Sequence, residues 1–174
     1  MLRGFKLFVA YERALHAHPL ATKATTSAAI GCAGDLFAQH LQGRKSVNWK
    51  RVATFAFLGG VMVAPALHLW YGTLDRLVPG TTFGAVGTRL LLDQVVFAPI
   101  FIPTFMTMLM ALEGQPNPLE EARHQWRAAV FANWKLWVPA QLVNFNFVPV
   151  HRQVLFANCV ACVWNVYLSY ATHQ

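Results

Sequence analysis

Charge is scarce in this chain. Asp, Glu, Lys and Arg together make up 12% of its 174 residues, and only seven residues are acidic. Soluble domains carry about 25% charged residues, so a surface wetted on every side is excluded. Cysteine is limited to Cys32, Cys159 and Cys162, which excludes a secreted disulfide framework. Cys159-x-x-Cys162 has redox spacing, but it sits in an apolar helical stretch with no strand-turn-helix setting, and these thiols read as small core residues. There is no His/Cys cluster at metal-ligand spacing, no phosphate-binding glycine loop and no Gly-x-Ser-x-Gly turn. The histidines, His16, His18, His40, His68, His124, His151 and His173, are scattered. No catalytic residue, metal site or cofactor is therefore expected, and the chain is not expected to be an enzyme.

What is present in quantity is apolar sequence, 56% of the residues. Small residues and proline recur inside the apolar runs, as they do in membrane helices. About 20 apolar residues cross a bilayer core. Residues 52–74 contain no Asp, Glu, Lys or Arg, nor do residues 153–172. Two further spans are expected at 21–41 and 90–112. The first is rich in Ala28, Ala29, Gly31, Ala33 and Gly34, which allow close helix approach. The fold class expected is an all-α integral membrane protein. It is a single domain, a bundle of about four transmembrane helices with amphipathic or kinked helical segments.

The net charge of +7 could mark a nucleic-acid binder. Here the basic residues lie in terminal and connecting segments: Arg3, Lys6 and Arg13, then Arg44, Lys45, Lys50 and Arg51, then Arg123 and Arg127. That distribution suits flanks meeting anionic headgroups, and no direct nucleic-acid contact is expected. The Lys and Arg balance between alternate connectors does not orient the chain.

Local signals set the boundaries. Residues 1–20 are basic with Glu12 the only acid, an amphipathic lead closed by Pro19. Ser46 or Asn48 is available to cap the helix that follows. Gly59-Gly60 predicts a close helix contact and Pro65 a kink. Trp70 and Tyr71 fit an interfacial aromatic belt, with His68 hydrogen bonding there. Pro79-Gly80 predicts a type II turn. Asn117-Pro118-Leu119-Glu120 predicts a helix start with Asn at the cap. Residues 119–150 are ambiguous, either an interfacial helix running into a kinked span or one long bent helix. Their face of Trp126, Trp134 and Trp137 is available to a partner.

The polar residues inside these spans are the candidate site. A charge at the bilayer centre costs about 3 kcal/mol on insertion scales, so Asp35 and Asp93 need partners or water. Gly31, Asp35, Gln39 and Gln42 share one helical face, and so do Asn158, Cys162, Asn165 and Ser169. Asp93, Gln94, Thr104 and Thr107 form a third stripe if the prolines do not rotate it, and Gln141 and Asn144 extend the pattern. Such stripes would either line an aqueous path or hydrogen-bond across dry interfaces. The candidate lining is Asp35, Gln39, Asp93, Gln94, Gln141, Asn144, Asn158 and Asn165.

ALHAHP (14–19), GDLFAQ (34–39), HLWYGTLDR (68–76), PGTT (79–82), DQVVFAP (93–99), NWKLWVPAQLVNFNFVPVHR (133–152) and WNVYLS (164–169) occur in order along nearly the whole chain. In these stretches the chain resembles the Mpv-seventeen and peroxisomal-membrane-protein-twenty-two family of small mitochondrial and peroxisomal membrane proteins. The short length looks most like the mitochondrial inner-membrane branch, with the peroxisomal membrane as the alternative. The resemblance implies a weakly selective solute channel linked to membrane potential, reactive-oxygen handling and, through metabolite supply, mitochondrial DNA maintenance. It carries over no catalytic residues. The expected partners are the lipid bilayer, small solutes or metabolites, and further copies of the chain as a homo-oligomer. The alternative function is a non-conducting membrane scaffold that organises protein complexes.

Overall fold

The structure is a computed structural model describing residues 2–43 and 45–171, with side chains described for 6, 9–43 and 45–163. Asn165 and Ser169 lie outside the described side chains. Among the described residues every regular element is a helix: α1 (Leu2–Ala17), α2 (Pro19–Leu41), α3 (Trp49–Leu77), α4 (Phe83–Glu113), α5 (Pro118–Phe147) and α6 (Val150–Ala171). Helices α3 and α4 are each long and apolar enough to cross a membrane. Large apolar side chains face outward along both, among them Val61, Leu69, Leu91 and Ile100.

Pro19 does not merely close the lead. It opens α2 at a first-turn position, where its missing N–H is no loss. The Thr22 hydroxyl donates to the Ala14 carbonyl across the break, 2.9 Å. From there α2 crosses α3 at backbone contact. A Cβ on Gly31 would sit 2.7 Å from the Phe55 carbonyl oxygen, and one on Gly59 would sit 2.6 Å from that of Ser27. The expected contact at Gly59-Gly60 is thus present, and only glycine fits it. At this crossing α3 widens to one π turn, Leu58–Val63, just ahead of Pro65. The wider turn absorbs the hydrogen bond that proline cannot donate.

The connector from α3 to α4 turns at Pro79-Gly80, with Gly80 at φ +90, as a type II turn requires. Arg89, buried on α4, fastens it. Its Nε donates to the Val78 carbonyl at 2.8 Å and its NH2 group meets Asp75 Oδ1 at 2.9 Å. Thr82 caps α4 by accepting from the Ala85 N–H, 3.2 Å. The helix therefore begins at Phe83, earlier than the apolar run at 90 suggests.

Most of the ambiguous stretch 119–150 lies in one continuous helix, α5, which passes through Pro139 and ends at Phe147, and Val150 opens α6. Asn117 occupies the cap position as expected, but in the left-handed conformation and with no side-chain hydrogen bond to the helix. Its role is to turn the chain, not to satisfy the first-turn N–H groups. The core gathers Ala64, Leu67, Tyr71 and Leu74 of α3, Val86 of α4, Phe145 of α5 and Val154 and Ala157 of α6. Helix α6 returns along α2, where the open face of Gly34 lies against Cys162 Sγ, 3.5 Å from the position of a Cβ. The lead helix α1 is tied to the head of α6 by Glu12, which takes a hydrogen bond from Arg152 Nε at 2.9 Å and pairs with Arg152 NH2 at 2.9 Å. The Arg152 hydrogen bond and charge hold the Glu12 carboxyl below its ordinary range.

Candidate functional site

The expected polar stripes resolve into separate networks. The first closes the α2–α3 turn. Asn48 caps α3, its Oδ1 accepting from the Arg51 N–H at 3.1 Å. Gln39 then reads the Asn48 backbone in both senses. Its Oε1 accepts from the Asn48 N–H at 2.7 Å, and its Nε2 donates to the Asn48 carbonyl at 3.2 Å and to Asp35 Oδ2 at 2.6 Å. Arg51 Nε lies 2.8 Å from Asp35 Oδ1, a close charge pair that is not aligned as a hydrogen bond. Asp35 thus has its compensating charge from the first turn of α3. These two residues fasten a helix hairpin.

The second network lies inside the bundle and joins three helices. Asp93 on α4 is 3% exposed and has no cationic partner among the described ion pairs. Three neutral donors serve it instead: Trp70 Nε1 of α3 at 2.8 Å, Gln94 Nε2 at 2.7 Å and Gln141 Nε2 of α5 at 2.9 Å. Charge-assisted hydrogen bonds of this kind contribute about 1.5–3 kcal/mol each, which together counter the cost of burying a carboxylate inside the bundle. Gln141 is the hub. Its Nε2 also donates to the Tyr71 hydroxyl at 2.9 Å, and its Oε1 accepts from Asn144 Nδ2 at 2.8 Å. Asn144 is wholly buried, and its Oδ1 has no hydrogen-bond partner.

One correction follows for the aromatic residues. Trp70 and Tyr71 do not form an interfacial belt: Trp70 serves Asp93, and Tyr71, 2% exposed, packs edge-on against Phe145. The Trp126–Trp134 face leaves Trp126 exposed, but both indoles also serve α4. Pro103 cannot donate to the Pro99 carbonyl, and Pro99, following the wide turn Asp93–Phe97, cannot donate to that of Gln94. The Trp126 indole donates to Pro99 O at 2.8 Å and the Trp134 indole to Gln94 O at 3.0 Å. Eight residues apart, the two rings lie on one face of α5 and fill the two gaps that the prolines leave in α4. Trp137, half-buried, packs against the core.

The remaining candidates fall elsewhere. Asn158 Nδ2 donates to the Ser27 hydroxyl at 2.5 Å, joining α6 to α2. Thr104 and Thr107 do not continue the Asp93 stripe, since the wide turn rotates it and both hydroxyls bond back to carbonyls of their own helix. His68 hydrogen-bonds inside the protein: its Nδ1 lies 3.0 Å from the buried Lys23 Nζ. The structure thus brings together Asp93, Gln94, Gln141 and Asn144, and holds Asp35 with Gln39 and Asn158 in separate sets. Tyr71, Trp70 and Trp134, which complete the Asp93 network, were hidden from sequence reading because they look like ordinary membrane aromatics. The period that places Trp134 two helical turns from Trp126 was a usable signal.

Residues 110–169 match the Mpv17 / PMP22 family. The "Mitochondrial inner membrane protein Mpv17" of Rattus norvegicus is 37% identical over 173 residues, covering 97% of this chain and 98% of the relative. That of Homo sapiens has the same identity and coverage. "PXMP2/4 family protein 3" of Dictyostelium discoideum is 37% identical over 162 residues, 91% of this chain and 87% of its own length. No solved structure matches. With relatives this similar along nearly its whole length, and with an all-helical fold holding two membrane-length helices, the chain belongs to the Mpv17 / PMP22 family.

Proposed function

We propose that this protein is a weakly selective small-solute channel of the mitochondrial inner membrane, with α2 and α6 crossing the bilayer beside α3 and α4. The Asp93 network is its constriction. One observation carries this reading: a carboxylate and three amides from α4 and α5 converge with Tyr71 in the middle of the bundle. Polar groups at such depth are costly in a membrane and mark solute pathways. The buried Asn144 Oδ1, with a lone pair unused, suits a site that takes up water or solute when the helices part. In the arrangement described here Gln141 bridges α3, α4 and α5, which corresponds to a closed path. Solute passage of this kind would support metabolite balance and membrane potential, with mitochondrial DNA maintenance an indirect consequence. No catalytic step is part of the proposal.

Planar-bilayer recording of the purified protein tests it. Asp93→Asn is expected to shift the cation-to-anion permeability ratio, and Asp35→Asn to leave it unchanged, because Asp35 is held at the hairpin turn by Arg51 and Gln39. A silent wild-type protein, or identical selectivity in Asp93→Asn that elutes as wild type, overturns the reading. The second reading is a non-conducting membrane scaffold. It is favoured by the burial of these polar groups and their mutual hydrogen bonds, which dry helix interfaces also use. Proteoliposomes impermeable to small solutes, with a stable co-purifying complex, would support it.

A further inference from the structure

Outside the bundle interior, the tie between α1 and α6 brings together three side chains that the chain separates widely. Glu12 and His16 are one helical turn apart on α1, so they share a face. His151 comes from the first turn of α6. One donor atom from each of Glu12, His16 and His151 lies within 4.8 Å of the others. The two imidazoles are already in contact, with ring centroids 5.4 Å apart, and His151 Nε2 is 3.7 Å from Glu12 Oε2, too far for a hydrogen bond. We propose that Glu12, His16 and His151 form a divalent transition-metal site, of the kind that takes zinc, which links the lead helix to the head of α6.

The donor set fits that chemistry. Imidazoles with one carboxylate suit zinc and its neighbours and are a poor match for magnesium or calcium, which take oxygen donors. Zinc bonds of about 2.0–2.1 Å to such donors place them roughly 3.3 Å apart in a tetrahedron. Rotation of the exposed His16 and a small closure of α1 on α6 therefore complete the site, with water at the remaining position. Arg152 is the counter-argument, since it occupies one edge of the carboxylate. An ionised carboxylate has about four acceptor positions, however, and Arg152 uses two. A ligating carboxylate held by a second hydrogen-bonding group is the usual arrangement around metals. Arg152 then acts as a positioning residue whose charge weakens the site without blocking it. His16 is exposed, so an ion can enter from water.

The test is a zinc titration of the full-length, chelator-stripped protein in detergent, against a competing chromophoric chelator. One ion per chain is expected, with at least tenfold weaker binding in His16→Gln and in His151→Gln and unchanged binding in a Cys159→Ser/Cys162→Ser variant. Zinc should also raise the melting temperature of wild type, with no effect on His16→Gln. Because His16 is exposed, its replacement spares the packing and decides the matter alone. Failure to bind zinc, equal competition by magnesium, undiminished affinity in His16→Gln, or loss of binding with the cysteines would each overturn the proposal.

Discussion

Gln141 is the side chain whose loss should be felt furthest. In Gln141→Leu the volume is nearly kept, so the cost is polar. Asp93 loses one of its three donors, Asn144 Nδ2 loses its acceptor, and the Tyr71 hydroxyl loses its only described donor. A bond to a carboxylate is worth about 1.5–3 kcal/mol and a neutral one about 1, giving an upper figure near 5 kcal/mol for the three. In membranes the disrupted chain still finds partners, and single contacts average about 0.6 kcal/mol, giving a lower figure near 2 kcal/mol. Unfolding of the protein in mixed micelles should therefore show a loss of about 2–5 kcal/mol. A double-mutant cycle with Asp93→Asn should return a coupling of about 1 kcal/mol or more, because the two side chains share one bond. A loss below about 0.5 kcal/mol with additive behaviour would refute the hub assignment. If the network closes a path, Gln141→Leu should also raise open probability in bilayer recordings.

Other tests probe the frame around it. Gly59→Ala places a Cβ against the Ser27 carbonyl and should destabilise the α2–α3 crossing. Gly72→Ala on the same helix meets nothing within 4 Å and should be neutral or stabilising by about 0.5–1 kcal/mol, so the sign of the difference in melting temperature decides the crossing. Trp126→Phe keeps the ring but leaves the Pro99 carbonyl unserved, a cost of about 1–2 kcal/mol. In a Pro103→Ala background the restored backbone N–H should take that carbonyl, and Trp126→Phe should then cost less. Equal losses in both backgrounds would show that the indole does not replace the missing bond. The Glu12 carboxyl is depressed by its hydrogen bond from Arg152 and by the Arg152 charge, so the tie between α1 and α6 stabilises the protein fully above the ordinary glutamate range. It is lost as pH falls through the depressed value. In chelator-containing buffer, hydrogen exchange of α1 should therefore rise with acidification, and Glu12→Gln should remove that pH dependence.

The resemblance and the chemistry pointed to the right class of molecule because composition and spacing are properties of a chain in a given solvent. The charge-free run at 52–74, the small residues of 28–34 and the turn at Pro79-Gly80 all act locally, and each has the expected structure. The Gly59 contact was legible because only glycine fits there, and Asn48 was one of two capping residues available before α3.

Local periodicity could not decide which helix answers which polar group. Asp35 and Asp93 look alike in sequence, each an acid in an apolar run. The hairpin turn carries Arg51 to Asp35, whereas the packing of α3 and α5 against α4 surrounds Asp93 with three neutral donors. Similarly, Trp126 and Trp134 form an apolar stripe until α4 is laid beside them and its two proline-freed carbonyls come into reach. The sequence specified helices, their breaks and the groups that could not be left alone in a membrane. Only the packing of helices distant in the chain settled their partners, because hydrogen bonds over a few ångströms depend on which surfaces meet.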